Sequence, residues 1–383
     1  MKSRLGKTFT VLLVIILLIG ATVAGYFSGF AFVENQDVRL GNLAELIARG
    51  DQSPITAETP GAVEIHIPRE SDVKAIASIL KQNRLIGSEF VFLVLSKFNG
   101  YDGNYRSGTH YLLPNMSYDE MMLVLTYQPK PVRITFREGM TYLQVKQSLK
   151  ENGMRFNEAI LDEMMKRPGL FADFDFVSQI EVTPDREWPL QGYLWPDTYE
   201  FDVNATEDQI LRTFLRNTDD KLKAGNYAAR AAAQNITLDD AITLASIVQT
   251  EGPVPEMDEI ARVFLNRLSQ GIMLQSCATI NYLRLELGED PVLWVRNDDL
   301  VRFAENPYNT YRNGTNLPPG PINSPGTSAI EGVLWPATEA TWPGASSYLY
   351  FVAKGDGTND FSMTAEEHQR KADMYYEQSL QQN

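Results

Sequence analysis

The feature that most restricts the fold of this chain is an apolar run near its N-terminus. Residues 8–33 read TFTVLLVIILLIGATVAGYFSGFAFV and contain no charged side chain. A helix of that length can cross a hydrocarbon core of about 30 Å. Lys2, Arg4 and Lys7 precede the run, and a positive flank stays on the cytoplasmic side. The pattern predicts a single-pass plasma-membrane anchor with a cytoplasmic N-terminus and with residues 34–383 extracytoplasmic.

A cleavable signal peptide is the alternative interpretation of this run. The segment ATVA, residues 21–24, would then contain the cleavage site. The run is long for the apolar part of a signal peptide, and its length favours an uncleaved anchor.

Length, charge and composition narrow the class of protein. A chain of 383 residues is expected to form two or three domains. The formal net charge of −15 argues against a nucleic-acid partner. His66, His110 and His368 lie far apart without metal-binding spacing, so we predict neither a metal nor another cofactor. The single cysteine, Cys277, excludes an intrachain disulfide and is expected to be an inert thiol.

The residues after the anchor are predicted to form a linker and two globular parts. Residues 34–62 form the linker, which ends in a turn-rich stretch. From residue 63 the apolar positions alternate as in a half-buried strand and then change to helical spacing. The pairs IHIPRE/ITFREG and LKQNRL/LKENGM recur at the same offset. Residues 63–165 are therefore either a duplicated strand–helix module or a single irregular α+β domain, and residues 166–383 form the larger part.

One predicted helix of the larger part ends on an acidic side chain. Thr237 and Asp240 form a capping-box pattern at its start, and Gly252 with Pro253 ends it just after Glu251. Desolvation and the negative end of the helix dipole would both raise the pKa of Glu251, as a general acid requires. The alternative is a frayed helix end whose glutamate reaches water. The desolvation is expected because Ala241, Leu244, Ala245 and Val248 form an apolar stripe at helical spacing, and Glu251 is the next position on that stripe.

Amide, hydroxyl and aromatic side chains are dense on both sides of this helix in the sequence. LQGYLWPDTYEF covers residues 190–201, LQSCATINYL covers 274–283, and NPYNTYRNGTNLPPGPINSPG covers 306–326. Such side chains suit carbohydrate binding, because sugars stack on aromatic rings and share hydrogen bonds with amides and hydroxyls. Each residue taken singly is better explained by packing, so only their density favours a binding cleft.

These segments resemble a known family. LASIVQTEG, IARVFLNRLSQGIMLQSCATINY, GYLWPDTY, YNTYRNGTNLPPGPINSPG and YLYFVAKGDG are similar in sequence and order to the MltG (YceG-like) endolytic murein transglycosylases. RSGTHYLLPNMSYDEMM and ITFREGMTYLQV resemble the LysM-like portion that precedes the family's catalytic domain. The resemblance covers about residues 63–380. It implies an α+β fold with an N-terminal transmembrane helix, a LysM-like α+β module (63–165) and a larger mixed α/β catalytic domain (166–383).

The resemblance also implies an activity. The family cleaves peptidoglycan glycan strands between MurNAc and GlcNAc and leaves 1,6-anhydro-MurNAc ends. Its catalytic glutamate falls on Glu251, which would protonate the glycosidic oxygen and then deprotonate the muramic C6 hydroxyl. The enzyme would cut nascent strands beside peptidoglycan synthases, held at the membrane by residues 8–33. Substrate contacts are expected at Tyr193, Asp197, Asn266, Arg267, Gln275, Thr279, Tyr308, Asn309, Thr310 and Tyr311.

Two departures from the family pattern involve three positions. Gln249 stands where the family commonly has glutamate, and Cys277 with the next residue replaces an Asp-Pro pair. The alternative function is therefore a non-catalytic peptidoglycan-binding scaffold of the cell-wall synthesis machinery, and an ordinary hydrolase is a third. Sequence spacing leaves open whether Asp197, Glu256 or Asp258 supplies a second carboxyl group.

Overall fold

The described part of the chain forms two structural units. The computed structural model describes residues 59–381, with gaps at 128, 130, 293–294, 313 and 315, together with residues 20, 53, 55 and 56. The smaller unit comprises Met1–Pro131 with Asp202–Asn204, and the larger comprises Val132–Phe201 with Ala205–Asn383. The predicted anchor (apart from residue 20) and most of the predicted linker lie outside the described residues. Among the helices that the described residues form, none is both long and apolar enough to cross a membrane.

The smaller unit is an α+β structure with one antiparallel strand pair. The alternation predicted from residue 63 is confirmed, because Ile65 and Ile67 are each 2% exposed. These side chains share a core with apolar residues of the neighbouring helices, including Leu80 and Phe92. The elements are β1 (Val63–Ile67), α1 (Val73–Gln82), α2 (Glu89–Phe98), β2 (Gly108–Leu112), which pairs with β1, and α3 (Tyr118–Val124).

The larger unit is mainly helical and has two antiparallel strand pairs, β3 with β4 and β5 with β6. The strands are β3 (Val132–Thr135), β4 (Thr198–Phe201), β5 (Tyr350–Ala353) and β6 (Asn359–Ser362). The helices are α4 (Tyr142–Glu151), α5 (Glu158–Met165), α6 (Glu207–Ala224), α7 (Tyr227–Ala233), α8 (Leu238–Glu251), α9 (Met257–Ser269), α10 (Cys277–Glu286), α11 (Asn297–Arg302), α12 (Thr327–Leu334) and α13 (Ala365–Gln381). Short 3-10 helices cover Pro168–Phe171, Asp175–Gln179, Val254–Glu256 and Ala345–Ser347.

The weak repeat seen in the sequence is divided between the two units. The first copy supplies β1 and α1 to the smaller unit, whereas the second supplies β3 and α4 to the larger. Strand β3 pairs with β4, and the side chains of Tyr142, Val145 and Leu149 from α4 are buried in the larger core. Residues 132–165 therefore pack with the larger unit, and the division falls after Pro131, ahead of the module end expected at residue 165.

Reciprocal capping boxes define the starts of helices α3, α4 and α8. In each box the N-cap hydroxyl accepts a backbone N–H three residues on, while the side chain at that position accepts the N-cap N–H. Two backbone donors that the helix itself leaves free are thereby satisfied. The boxes pair Ser117 with Glu120 in α3, Thr141 with Gln144 in α4, and Thr237 with Asp240 in α8, where the capping box predicted from the sequence is confirmed.

Helix α8 lies at the centre of the larger unit. Every side chain from Ala241 to Val248 is buried, and α9 and α12 pack against it. The helix is therefore enclosed on all sides, rather than on the single stripe that the sequence predicts. The stripe nevertheless leads to the correct end of the helix, because α8 stops at Glu251.

Gly252 follows the last residue of α8, at a position where neighbouring side chains leave no space for a Cβ atom. Its φ of −167° is extended backbone that any residue can adopt. A Cβ at this position would overlap with Cδ1 of Ile260 and lie 2.9 Å from Nδ2 of Asn359. Close packing, and not a left-handed turn, is thus the reason for glycine here. This packing holds the end of α8 against α9 and β6.

Candidate active site

A cavity of about 800 Å³ lies at the C-terminal end of α8. Its wall is formed by the end of α8, by residues of α9, by the segment 274–277, by the β5–β6 hairpin and by α13. The volume falls within the range of about 300–1,000 Å³ that is usual for ligand sites. Aromatic rings contribute to the wall, as carbohydrate binding requires. They belong to Phe264, Tyr311, Tyr350, Phe351, Tyr375 and Tyr376.

Glu251 is the last residue of α8 and lines this cavity. Part of its side chain is exposed, but the carboxyl group is enclosed by protein atoms. Burial raises the pKa of Glu251, and hydrogen bonds from the Ser276 side chain and the Ala278 backbone N–H partly oppose this by lowering it. The carboxyl group therefore holds its proton to a higher pH than an exposed glutamate does.

Ser276 places the start of a second helix against the Glu251 carboxyl group. Its hydroxyl donates to Oε1 of Glu251 and accepts the Ala278 backbone N–H at 3.2 Å, which makes it the N-cap of α10. A helix N-terminus favours a negative charge, whereas the C-terminal end of α8 disfavours it. The two helix ends oppose each other at Glu251, so burial is the main cause of the raised pKa.

The segment from Gln275 to Thr279 is held by the loop that contains Thr310. The Ser276 N–H donates to Oγ1 of Thr310 at 3.0 Å, and the Gln275 N–H donates to the Thr310 carbonyl at 3.1 Å. The hydroxyls of Thr279 and Thr310 are 2.9 Å apart. Both threonines are buried. Two of the predicted substrate contacts thus position the segment that touches Glu251.

Arg267 braces the same segment from α9. Its guanidinium donates to the Met273 carbonyl at 2.8 Å, to the Leu349 carbonyl at 2.9 Å and to Oε1 of Gln275 at 2.7 Å. Gln275 has a φ of +51°, which is uncommon for a residue other than glycine. The bond to Arg267 helps to hold that conformation. Both Arg267 and Gln275 line the cavity.

The neighbouring Asn266 has a different role. Its side-chain amide donates to the carbonyls of Ala345 and Tyr348 at 2.7 and 2.9 Å. The residue is buried and does not line the cavity. Asn266 therefore fixes the chain before β5, and we do not include it among the substrate contacts.

Tyr311 and Cys277 lie together on the cavity wall. The tyrosine hydroxyl and the cysteine sulfur are 3.0 Å apart. Burial raises the pKa of the Cys277 thiol, so the thiol stays protonated near neutral pH and is a poor nucleophile. Burial also raises the pKa of Tyr311. The pair therefore presents two neutral groups to the cavity.

The aromatic island at residues 190–201 lies in the core. Tyr193 is fully buried, and its hydroxyl donates to Asp239 at 2.6 Å. Asp239 is paired in turn with the buried Arg186. Asp197 accepts the Thr198 N–H at 2.8 Å, and neither Tyr193 nor Asp197 lines the cavity. The two residues predicted to form a cleft wall therefore lie away from this cavity, and packing around Asp239 buries the tyrosine.

Tyr308 and Asn309 also serve packing rather than the cavity. Tyr308 is buried against Tyr282, with ring centroids 5.0 Å apart. Asn309 is buried, donates to the Phe303 carbonyl at 3.1 Å and accepts the Tyr311 N–H at 3.0 Å. Of the ten predicted substrate contacts, the cavity is lined by Arg267, Gln275 and Tyr311.

Several cavity residues are absent from the sequence prediction. Ser276 carries a readable signal, because a serine directly before a helix is a preferred N-cap. His368 of α13 lines the cavity and stacks on Tyr350, with ring centroids 5.3 Å apart. Lys354 lines the cavity from the β5–β6 turn. Local pattern gives no signal for His368 or Lys354, because both reach the site through long-range contacts.

Within the described residues, one carboxylate other than Glu251 lines the cavity, and it belongs to Asp373 of α13. Glu256 accepts two hydrogen bonds of 2.9 Å from one asparagine. Neither Glu256, Asp197 nor Asp258 contributes to the cavity wall. The part of the chain that the structure describes also contains no group of three or more His, Cys, Asp or Glu residues that could hold a metal.

Comparison with known proteins identifies the family of the chain. A family model described as the YceG-like family matches residues 65–374. The chain belongs to the YceG-like family. The matched range contains α8, α9, α10, the β5–β6 hairpin and much of α13, and therefore nearly the whole cavity wall.

Curated relatives of this YceG-like chain share one name. A protein called endolytic murein transglycosylase from Bacillus subtilis (strain 168) is 31% identical over 330 residues, which cover 84% of this chain and 87% of the relative. One of the same name from Streptococcus pneumoniae (strain D39) is 28% identical over 83% of this chain, which spans 59% of that relative's length. A crystal structure of a yceG-like protein from Listeria monocytogenes is 29% identical, with a TM-score of 0.52 over 82% of this chain and 99% of that chain.

Proposed function

We propose that this YceG-like chain is an endolytic murein transglycosylase that cleaves MurNAc–GlcNAc bonds in peptidoglycan glycan strands. The observation that carries the proposal is the position of Glu251. It is an enclosed carboxyl group at the end of the central helix, on the wall of a cavity of about 800 Å³. The name shared by the curated relatives supports the same reaction class.

In the first step Glu251 acts as a general acid. Its proton moves to the glycosidic oxygen while the bond between that oxygen and C1 of MurNAc breaks, and the GlcNAc side leaves as an alcohol. Burial favours this step because it raises the pKa of the carboxyl group and so keeps the proton available to a higher pH than in an exposed glutamate.

In the second step Glu251 acts as a base. The muramic C6 hydroxyl bonds to C1 and gives its proton to the carboxylate, which closes a 1,6-anhydro ring and restores the acid. The Ser276 hydroxyl and the Ala278 N–H stabilise the carboxylate that exists between the steps. One carboxyl group serves both steps, whereas ordinary glycosidases use a pair. The small number of carboxylates on the cavity wall supports this scheme.

The cellular setting is proposed from the sequence and the resemblance. Residues 8–33 anchor the protein in the plasma membrane as a single pass, with a cytoplasmic N-terminus and the cavity outside. The enzyme then meets nascent strands beside peptidoglycan synthases, and its cuts terminate strand elongation. The LysM-like part binds GlcNAc-containing glycan and holds the strand near the cavity.

Product analysis tests the proposed reaction. Purified glycan strands are incubated with the full-length protein in detergent, as wild type and as Glu251→Gln, and the products are identified by mass spectrometry. We expect anhydro-MurNAc ends from the wild type and a rate lower by roughly 10²–10⁴-fold in the variant. Glu163→Gln is the matched control, because this exposed carboxylate of α5 pairs only loosely with Arg167, at 3.6 Å.

Three other results would each contradict part of the proposal. Reducing MurNAc ends would make the protein a hydrolase. Folded wild-type protein that binds strands without cutting them would favour the scaffold function. A Glu251→Gln variant as active as the Glu163→Gln control would remove Glu251 from the chemistry.

A further inference from the structure

The cavity wall contains a buried cation that has only neutral partners. Arg267 is 5% exposed, and its guanidinium donates to two backbone carbonyls and to one side-chain amide. It forms no ion pair within 4 Å with an acidic side chain of the described residues, and its electrostatic neighbours are the hydroxyls of Tyr311 and Tyr350. A buried charge without a counter-ion is unfavourable. An anion inside the cavity would relieve that cost.

Arg267 retains hydrogen-bonding capacity for such an anion. A guanidinium has five N–H groups, and its bonds to Met273, Leu349 and Gln275 use three of them, on three different nitrogens. One N–H therefore remains on each terminal nitrogen. Each of these two N–H groups can donate to an oxygen of a bound anion, and a carboxylate accepts such charge-assisted bonds.

Lys354 adds a second cation to the same wall. It follows β5 and lines the cavity, and its ammonium forms no hydrogen bond or ion pair with the residues that the structure describes. Asp360 interacts with it only at longer range, because Asp360 already accepts bonds of 2.8 Å from Lys371 and from Tyr375. Asp356, also at longer range, accepts hydrogen bonds within its own turn. Lys354 is thus available to a ligand.

The charges on the wall sum to a positive excess. Two cations face one exposed carboxylate, that of Asp373, and burial disfavours the charged form of Glu251 on the same wall. Burial and the nearby Arg267 lower the pKa of His368, which leaves that ring neutral near pH 7. The whole chain carries a formal charge of −15. A positive wall inside an acidic protein attracts an anion to this cavity in particular.

We propose that Arg267 and Lys354 form a subsite for a carboxylate carried by the glycan substrate, in the same cavity as Glu251. This proposal rests on the proposed function, and it adds the chemical group of the substrate that the cavity recognises. Peptidoglycan offers this carboxylate from two sources, the peptide attached to the muramic lactyl group and the lactyl group itself where no peptide is attached. Arg267 also donates to Gln275, the residue before Ser276. An anion bound at the subsite therefore contacts the same arginine that holds Gln275 in place, next to the serine that donates to Glu251.

The variant Lys354→Met tests the subsite without removing a structural brace. Dissociation constants are measured in a Glu251→Gln background, so that no strand is cut. Three ligands are compared: strands with peptides, peptide-free strands with free lactyl carboxylates, and peptide-free strands whose lactyl carboxylates have been converted to amides. We expect Lys354→Met to weaken binding of at least one carboxylate-bearing ligand about tenfold, as for the loss of one charge-assisted contact, with no equal loss for the amidated strands.

Matched variants separate charge from bulk. Lys354→Arg keeps the cation and should retain most of the preference for carboxylates. Lys150→Met removes an exposed lysine that pairs with Glu158 at 2.8 Å, and it should change none of the three dissociation constants. The preference of the parent protein should also shrink as salt is added, because screening weakens the contact with the partly exposed Lys354.

The results identify the source of the carboxylate or reject the subsite. Loss confined to peptide-bearing strands assigns the peptide, and loss on free lactyl strands assigns the lactyl group. Equal loss on amidated strands, or no loss on either carboxylate-bearing ligand, would overturn the proposal. Because binding is scored separately from cleavage, a charge preference in a protein that never cuts strands would contradict the proposed function alone.

Discussion

At the scale of single residues, the surroundings of Glu251 serve two opposite needs. The acid step needs a carboxyl group that keeps its proton, and burial provides this. The base step needs a carboxylate that is stable for a short time, and two hydrogen-bond donors at the start of α10 provide that. A site with burial alone would release its proton too reluctantly, and a site with donors alone would lose it too early.

Ser276→Ala tests this balance. The Ser276 hydroxyl lowers the pKa of Glu251, so its loss should move the alkaline limb of the kcat profile to higher pH and reduce kcat. The helix also loses its N-cap, at a cost of about 1 kcal/mol. The measurement is kcat against pH, with Ser276→Thr as the control that keeps a hydroxyl. An alkaline limb that moves to lower pH in the alanine variant would refute the assigned effect.

The raised pKa of Glu251 also predicts how stability depends on pH. The folded protein binds this proton more tightly than the unfolded chain does, so the free energy of unfolding falls as pH rises from the ordinary carboxyl pKa through the raised value. Glu251→Gln removes this loss. We expect the variant to be more stable than wild type at about pH 8, by about 1.4 kcal/mol for each unit of pKa difference. The gap should close below about pH 4.

Denaturant unfolding at both pH values measures this difference. Glu163→Gln again provides the control, because its exposed carboxylate should give no comparable gain. A Glu251→Gln variant that is less stable than wild type at the higher pH would mean that its carboxylate, and not its acid form, is favoured by the fold.

At the scale of elements, the site depends on how closely α8, α9 and β6 approach each other. The residue after Glu251 has no side chain, which lets the end of α8 lie close to α9 and β6. Ile260 of α9 and Asn359 of β6 occupy the space in which a Cβ would lie. The position of the acid is therefore coupled to the packing of three elements.

Gly252→Ala should disturb both stability and rate. The added methyl group meets filled space, and overpacking of this kind costs about 1–3 kcal/mol. We expect a lower free energy of unfolding in denaturant and a lower kcat, since the chain next to Glu251 must move. Gly169→Ala is the control, because nothing lies within 4 Å of a Cβ at that position. Equal stability of the two variants would show that the space beside Gly252 adapts freely.

The elements differ in how far sequence could predict them. Thr237 and Asp240 act on neighbours in the chain, and the start of α8 follows from them, whereas Gly252 packs against Ile260 and the distant Asn359. The far wall of the cavity could not be predicted, because His368 and Lys354 reach the cavity that Glu251 lines only through packing of distant segments. Tyr193 shows a second reason why sequence was insufficient. An aromatic loop that also contains polar residues has the same sequence pattern whether it forms a sugar-binding wall or packs in a core. Its bond to the buried Asp239 decides between them.

At the scale of the whole molecule, the proposed anchor predicts a specific protein species. If residues 8–33 remain attached, the protein should fractionate with membranes, and its mass should include the residues before the apolar run. The measurement is intact-mass spectrometry of protein extracted from a bacterial membrane fraction. A species that begins after residue 24, found outside the membrane fraction, would favour the signal-peptide alternative. Treatment with alkaline carbonate distinguishes an embedded protein from one that is merely adsorbed.

The place of α13 in the chain has a consequence for the timing of biosynthesis. The ribosome releases the chain from its N-terminus, so Glu251 emerges well before the residues of α13 that line the same cavity, which extend to Gln378. Until then the acid exists without one wall of its cavity. A growing chain therefore cannot form the complete cavity, and the ability to cut wall polymer is deferred until translation has passed residue 378 and α13 has docked.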